Sequence, residues 1–226
     1  MRSSEMWLAN QWLFVKRHLP PAASTVLEIG CGPVGGFVPA LIDAGYRATG
    51  VDPAAPDARS YERIAFEEFD PTEPVDVIIA CTSLHHVDDL DKMLDRVDRA
   101  LTPGGTLVVI EWAWERFDEA TACWCFERLA SLPVDDHPGW LQRHRDGWIE
   151  SGKSWDNYFM DWVTEHGLHP AQAIVSALDS RIERRRLIEG PYFFSDLEHT
   201  TAGDEQSAID AGLIRATGLR YVGVRQ

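Results

Sequence analysis

Three clusters of residues carry the types and spacings that do chemistry. The segment Val26-Leu-Glu-Ile-Gly30-Cys-Gly32-Pro-Val-Gly35 ends an apolar run in glycines, which let a backbone turn tightly and approach a ligand closely. Glu28 stands two residues before the first glycine, where a carboxylate can receive the ammonium of an amino acid. Asp52 closes a second apolar run 20 residues after Gly32, a place from which a carboxylate accepts both hydroxyls of a ribose. The plainer role for Asp52 is a helix cap or a turn before Pro53. His85 and His86 follow a third run, and imidazole is the side chain that exchanges protons near neutral pH.

These groups need elements that deliver them to one edge. Thr25 to Ile29, Arg47 to Val51, Arg63 to Phe66, Val75 to Ala80 and Thr106 to Ile110 read as short strands. Their apolar runs suit burial on both faces, as in a parallel sheet. Helices fall around them: residues 3–18 ended by Pro20-Pro21, Gly36 to Ala44 stopped at Gly45, and Asp88 to Leu101 with Leu90, Met93, Leu94 and Val97 on one side. Residues 112–162 break the rhythm and hold Trp112, Trp114, Trp124, Trp140, Trp148, Trp155 and Trp162 of the chain's 9 tryptophans. A helix from Trp155 to His166, a strand near Arg184 to Glu189, a helix near Gly203 to Ala211 and a strand from Leu219 to Arg225 follow. The expectation is one α/β domain over residues 1–226, a Rossmann-like, doubly wound and mostly parallel sheet. A helical, Trp-rich cap at 112–162 is inserted after strand five.

The 226 residues are 45% hydrophobic and 25% charged, an ordinary globular balance. A formal net charge of −15 argues against nucleic acid, whose phosphates are bound by Lys and Arg, and against an anionic membrane. No apolar run approaches the roughly 18 residues that span a bilayer, and residues 1–10 lack a signal-peptide core. A cytoplasmic protein with a small-molecule partner is expected, with no oligomeric state implied. Cys31, Cys81, Cys123 and Cys125 read as reduced thiols, since Cys123-Trp-Cys125 is too tight for the usual zinc spacing. No metal site is expected, and Asp135-Asp136-His137 reads as a solvated loop. Arg181-Ile-Glu-Arg184-Arg-Arg186 reads as a charged sheet edge, or as a grip on an acidic acceptor.

Four motifs resemble, in order, those of the class I S-adenosylmethionine-dependent methyltransferases. They are Glu28-Ile-Gly30-Cys-Gly32, Gly50-Val-Asp52, the run Val75 to Val87 ending in Leu84-His-His-Val87, and Leu101-Thr-Pro-Gly-Gly-Thr-Leu-Val108. The resemblance implies S-adenosyl-L-methionine as methyl donor and S-adenosyl-L-homocysteine as product. It implies that Glu28, Gly30, Cys31 and Gly32 wrap the methionine end and that Asp52 and Pro53 lie at the ribose. Glu67 or Glu68 would serve the adenine, with Phe69 as a ring contact, and Cys81, Thr82 and Ser83 would line the cofactor. Asn10-Gln-Trp12 resembles an element that closes over it. Leu84-His-His-Val87 is most similar to menaquinone-type and antibiotic-biosynthesis small-molecule methyltransferases. Two departures stand out: Val34 occupies the place where the family often has its third glycine, and Asp70-Pro-Thr-Glu-Pro74 leaves almost no helix between strands three and four.

Methyl transfer from a sulfonium is an in-line displacement, so the protein mostly aligns acceptor, methyl and sulfur. A hydroxyl or protonated amine also needs a base. His85 is the candidate base and His86 a candidate acceptor contact; packing is the plainer role for each. The acceptor atom (O, N or C) stays open. A small planar or apolar molecule is expected beneath the cap, touched by at least one of Trp112, Trp114, Trp124 and Trp148, though most of these rings should build the cap's own core. Two other functions fit the same turn. An NAD-dependent oxidoreductase would use Asp52 but has no use for Glu28, and a non-catalytic S-adenosylmethionine-binding protein would keep every motif.

Overall fold

The computed structural model describes residues 3–129 and 139–226, and Asp135-Asp136-His137 lies outside them. In chain order the elements are α1 (Ser3–Arg17), β1 (Thr25–Ile29), α2 (Val38–Asp43), β2 (Arg47–Val51), β3 (Tyr61–Glu62), β4 (Val75–Cys81), α3 (Leu90–Ala100) and β5 (Leu101–Trp112). They continue with α4 (Glu119–Phe126), α5 (Trp140–Ser151), α6 (Trp155–Glu165), α7 (Ala171–Asp179), β6 (Ile182–Gly190), α8 (Ala202–Asp210) and β7 (Gly218–Arg225).

The strands form one seven-stranded sheet in the order β3-β2-β1-β4-β5-β7-β6, with β1 to β5 paired in parallel. Parallel pairing demands cover on both faces, and the residues comply: Val26, Leu27, Val77, Ile78, Ile79, Leu107, Val108 and Val109 are almost wholly buried. Each such side chain contributes roughly 1.5–3 kcal/mol relative to an exposed one. The strand order reverses between β1 and β4, and in open sheets the crevice outside the carboxyl ends at that reversal is where ligands bind. Gly30 follows β1 and Thr82 follows β4 at this point.

Four elements differ from the sequence expectation. Helix α2 begins at Val38 and not at Gly36, because Gly35 and Gly36 both take positive φ (82° and 56°) and keep the chain turning. The third strand is Tyr61–Glu62 and not Arg63 to Phe66. Phe66 is instead drawn into the core within a turn in which Glu68 N–H donates to Ala65 O and Phe69 N–H to Phe66 O. Strand β5 starts at Leu101 and not at Thr106, running through Pro103-Gly-Gly105, and its register against β4 slips between the pairs Val75↔Leu101 and Val77↔Thr106. Helix α7 had no expected counterpart, although Ala171, Ile174 and Leu178 bury one of its faces.

The chain divides into two compact units. One comprises Leu8–Glu111, His169–Ile188 and Leu219–Gln226 and contains nearly all of the sheet. The other comprises Trp112–Leu168 and Glu189–Gly218 with the start of α1. Its core is aromatic. Trp155 is fully buried, donates Nε1–H to Phe117 O at 2.7 Å and packs on Phe159 at 5.0 Å. Glu205 of α8, 1% exposed, accepts the backbone N–H groups of Tyr192, Phe193 and Phe194 and so ties α8 to that core. No helix among the described residues is long and apolar enough to cross a membrane.

Candidate functional site

The glycine turn after β1 is held from three sides. Gly30 N–H donates to Val51 O at 2.9 Å, and Gly32 N–H donates to Asp52 Oδ2 at 3.1 Å. Gly30 has φ 74°, and an alanine Cβ there would lie 2.4 Å from Ser83 Cβ, so only glycine lets the turns after β1 and β4 meet. A Cβ on Gly32 (φ 62°) would meet nothing within 4 Å, so that side of the turn is open to a ligand. Asp52 also accepts Ala54 N–H at 2.7 Å. A carboxylate has about four acceptor sites, so two bonds to the turns leave capacity for a ribose.

Glu28 lies behind the turn, 1% exposed. Its Oε2 accepts Phe37 N–H at 2.7 Å at the start of α2. Desolvation by burial pushes its pKa up to about 8, against the lowering effect of the Phe37 and Val38 N–H groups. Glu28 thus holds the start of α2 in place. The Cys31 thiol, also buried, is pushed up to about 12 by desolvation first and then by Glu28 and Asp52, which makes it a small packing group and not a nucleophile. Trp12 of α1 stacks on Phe37 at 6.3 Å.

The segment after β4 is held even more tightly. Cys81 is buried and its thiol is raised well above the usual range, by desolvation first. Thr82 has φ 49°, uncommon for a β-branched residue, and its N–H donates to Ile110 O at 2.7 Å. Ser83 Oγ donates to Ile29 O at 3.3 Å. Leu84–His86 then form one 3₁₀ turn. Glu111, at the end of β5 and wholly buried, accepts Ser83 N–H at 2.9 Å and Leu84 N–H at 2.7 Å through Oε1. Its Oε2 lies 2.5 Å from Nδ1 of buried His85. The next loop closes the arrangement: His169 N–H donates to His85 O at 3.0 Å, and His169 Nε2 bonds Val87 O at 2.8 Å. His86 is exposed, its ring 4.1 Å from that of His85.

The structure therefore gathers Glu28, Gly30, Cys31, Gly32, Asp52, Cys81, Thr82, Ser83 and His85 around the carboxyl ends of β1, β2 and β4. Pro53 is exposed beside Asp52. Glu67 and Glu68 are both exposed and Phe69 half-buried, and Arg96 Nη2 donates to Phe69 O at 2.5 Å. In the aromatic unit Trp112 and Trp114 are buried, and Trp112 packs edge-on against Trp140 at 5.2 Å. Trp124 and Trp148 are half-buried, Trp124 beneath Arg128 and Trp148 against Trp155. Arg181 pairs with Asp91 and Asp95, and Arg184 with Asp179, so the arginine run is largely spent on neighbouring carboxylates. Glu111 and His169 escaped the sequence reading; an acid as the last polar residue of an apolar strand was the available signal.

Residues 11–177 match a protein family described as a methyltransferase domain. A ubiquinone biosynthesis O-methyltransferase from Bradyrhizobium sp. (strain ORS 278) is 31% identical over 107 residues, 41% of this chain and 42% of that protein. The matched part of this chain spans about half the length of the curated relatives. The N-methyltransferase NodS from Bradyrhizobium japonicum WM9, solved with S-adenosyl-L-homocysteine, shares the fold with a TM-score of 0.54 at 16% identity, covering 96% of this chain and 86% of its own. A geranyl diphosphate C-methyltransferase from Streptomyces coelicolor A3(2) does so with a TM-score of 0.56 at 16% identity, covering 96% and 79%.

Proposed function

Because the chain belongs to the methyltransferase domain family, of the class I S-adenosylmethionine-dependent type, we propose that it methylates a hydroxyl oxygen of a small molecule, with His85 as the base. The NAD-dependent alternative gives way to the family. The observation that carries the base assignment is the His85–Glu111 pair, two residues beyond the Ser83 contact with the glycine turn. With Nδ1 engaged by Glu111, Nε2 is the nitrogen that accepts a proton. A base of this kind serves an acceptor that must lose a proton, as a hydroxyl or a protonated amine must. Between the two, the name of the O-methyltransferase relatives favours the hydroxyl.

The residues present fit the donor. The open face of Gly32, the acceptor capacity of Asp52 and the left-handed turn at Gly30 form a cradle that side chains would fill. Trp12, Pro53, Phe69 with Glu67 or Glu68, and Cys81 to Ser83 would complete it. Bound S-adenosylmethionine supplies a methyl group already activated by the sulfonium charge. The protein's own task is to fix the Gly30 and Ser83 turns against each other, to orient His85, and to remove the hydroxyl proton.

Calorimetry with S-adenosyl-L-homocysteine and product analysis with a panel of phenols, alcohols and amines test the reading. We expect binding, O-methyl products, and a loss of roughly 10²-fold in rate for His85→Ala with cofactor affinity unchanged within a few-fold. Methyl groups found on nitrogen or carbon, or an undiminished His85→Ala rate, would overturn it.

A further inference from the structure

Glu111 is fully buried at the carboxyl end of β5, and its carboxylate bonds the next turn of the sheet edge. Oε1 takes two backbone N–H donors, from Ser83 and Leu84, while Oε2 faces His85 Nδ1. A group that accepts at both ends leaves the third proton on Nδ1, and the bond made by one ring nitrogen decides which tautomer an imidazole adopts. In water the Nε2–H form is the preferred one. Here the protein imposes the other.

We propose that Glu111 is the positioning residue of the transfer site, holding His85 as the Nδ1–H tautomer while the same carboxylate fixes the backbone of residues 83–84. The inference rests on the reading of His85 as base. The step balances as follows. The acceptor O–H gives its proton to Nε2, its oxygen forms the bond to the methyl carbon, and the C–S electron pair stays on sulfur. The sulfonium charge is thereby exchanged for an imidazolium charge, which Glu111 neutralises across 2.5 Å. A neutral hydroxyl is an acceptor class this arrangement suits.

A carboxylate that merely caps the 3₁₀ turn would need only Oε1. The two roles separate in Glu111→Gln, which keeps an oxygen for Ser83 and Leu84 but turns an NH₂ donor toward Nδ1. Nδ1 must then accept, and the ring proton moves to Nε2, where no base is left.

The test is ring-¹⁵N histidine NMR on the full chain saturated with S-adenosyl-L-homocysteine, with His85 assigned by its loss in His85→Gln. We expect Nδ1–H in the wild type and in Glu111→Asp, and Nε2–H in Glu111→Gln. The kcat/KM for the best phenol of the panel should fall at least tenfold in Glu111→Gln, its pH profile should lose the limb set by the base, and product affinity should stay within about threefold. Nε2–H in the wild type, or Nδ1–H retained in Glu111→Gln, would overturn the proposal; the wild-type spectrum alone decides if Glu111→Gln does not fold. The expected tautomers together with a full wild-type rate for His85→Gln would retire the base reading and leave Glu111 as the residue that sets the ring.

Discussion

Glu28 shows what a buried carboxylate does to this fold. Two backbone N–H groups at the start of α2 favour its anion, yet desolvation is the larger effect and its pKa stands near 8, above the ordinary 4.5. Between these values the folded protein keeps a proton that the unfolded chain gives up, so stability falls as pH rises through that window. His144 works in the opposite sense. Burial, then Arg143 and His166, lower its pKa to about 4, so its contribution to stability rises from there to the ordinary 6.5 and is complete above it. From about pH 6.5 to 8 the His144 contribution is complete while that of Glu28 is still being lost. We expect the thermal midpoint to decline across this interval and Glu28→Gln to flatten the decline, as read by scanning calorimetry. A slope that Glu28→Gln leaves intact would refute the assignment. The placement of Glu28, Asp52 and His85 at the carboxyl ends of the strands was legible in the sequence because each sits at a fixed offset from a glycine or a strand end. Glu111 was not, because its meaning depends on the Cys81↔Ile110 register that puts it beneath the 83–85 turn.

Elements were legible where hydrophobic period alone decides them and illegible where a side chain from elsewhere does. Strands β1, β2 and β4 follow their apolar runs. The start of α2 departs from its apolar run because two left-handed glycines and Glu28 set it, and β3 does so because the Tyr61 ring lies against Gly50 while its hydroxyl donates to Gly35 O at 3.2 Å. The β1–α2 turn offers a test of close approach against backbone strain. Gly30 and Gly32 have similar positive φ, but only at Gly30 does an added Cβ strike a neighbour, Ser83. Gly32→Ala should cost about 1–2 kcal/mol, the cost of a left-handed alanine. Gly30→Ala should cost clearly more, because the turns after β1 and β4 must also separate, and urea denaturation measures both. Equal losses would mean that the contact with Ser83 is not what requires glycine.

At the scale of the molecule the governing number is the charge. Lys and Arg total 21 against 36 Asp and Glu, a net −15. Many of the ion pairs are exposed, such as Lys92 with Asp89 (83% and 46%) and Lys153 with Asp161 (52% and 67%). Exposed pairs contribute about 0–1 kcal/mol each, and salt weakens them. Salt also weakens the repulsion among the unpaired carboxylates, which acts over a screening length of roughly 30 Å at 0.01 M and 8 Å at 0.15 M. The imbalance makes the second effect the larger. The thermal midpoint should therefore rise by a few degrees between low salt and about 0.3 M sodium chloride, since about 1 kcal/mol moves the midpoint roughly 2–4 °C in a chain of this length. Choline chloride should do the same, because screening depends on ionic strength and not on which cation supplies it. A midpoint that stays level or falls would show that the surface pairs, and not the excess of acids, set the electrostatics of this protein.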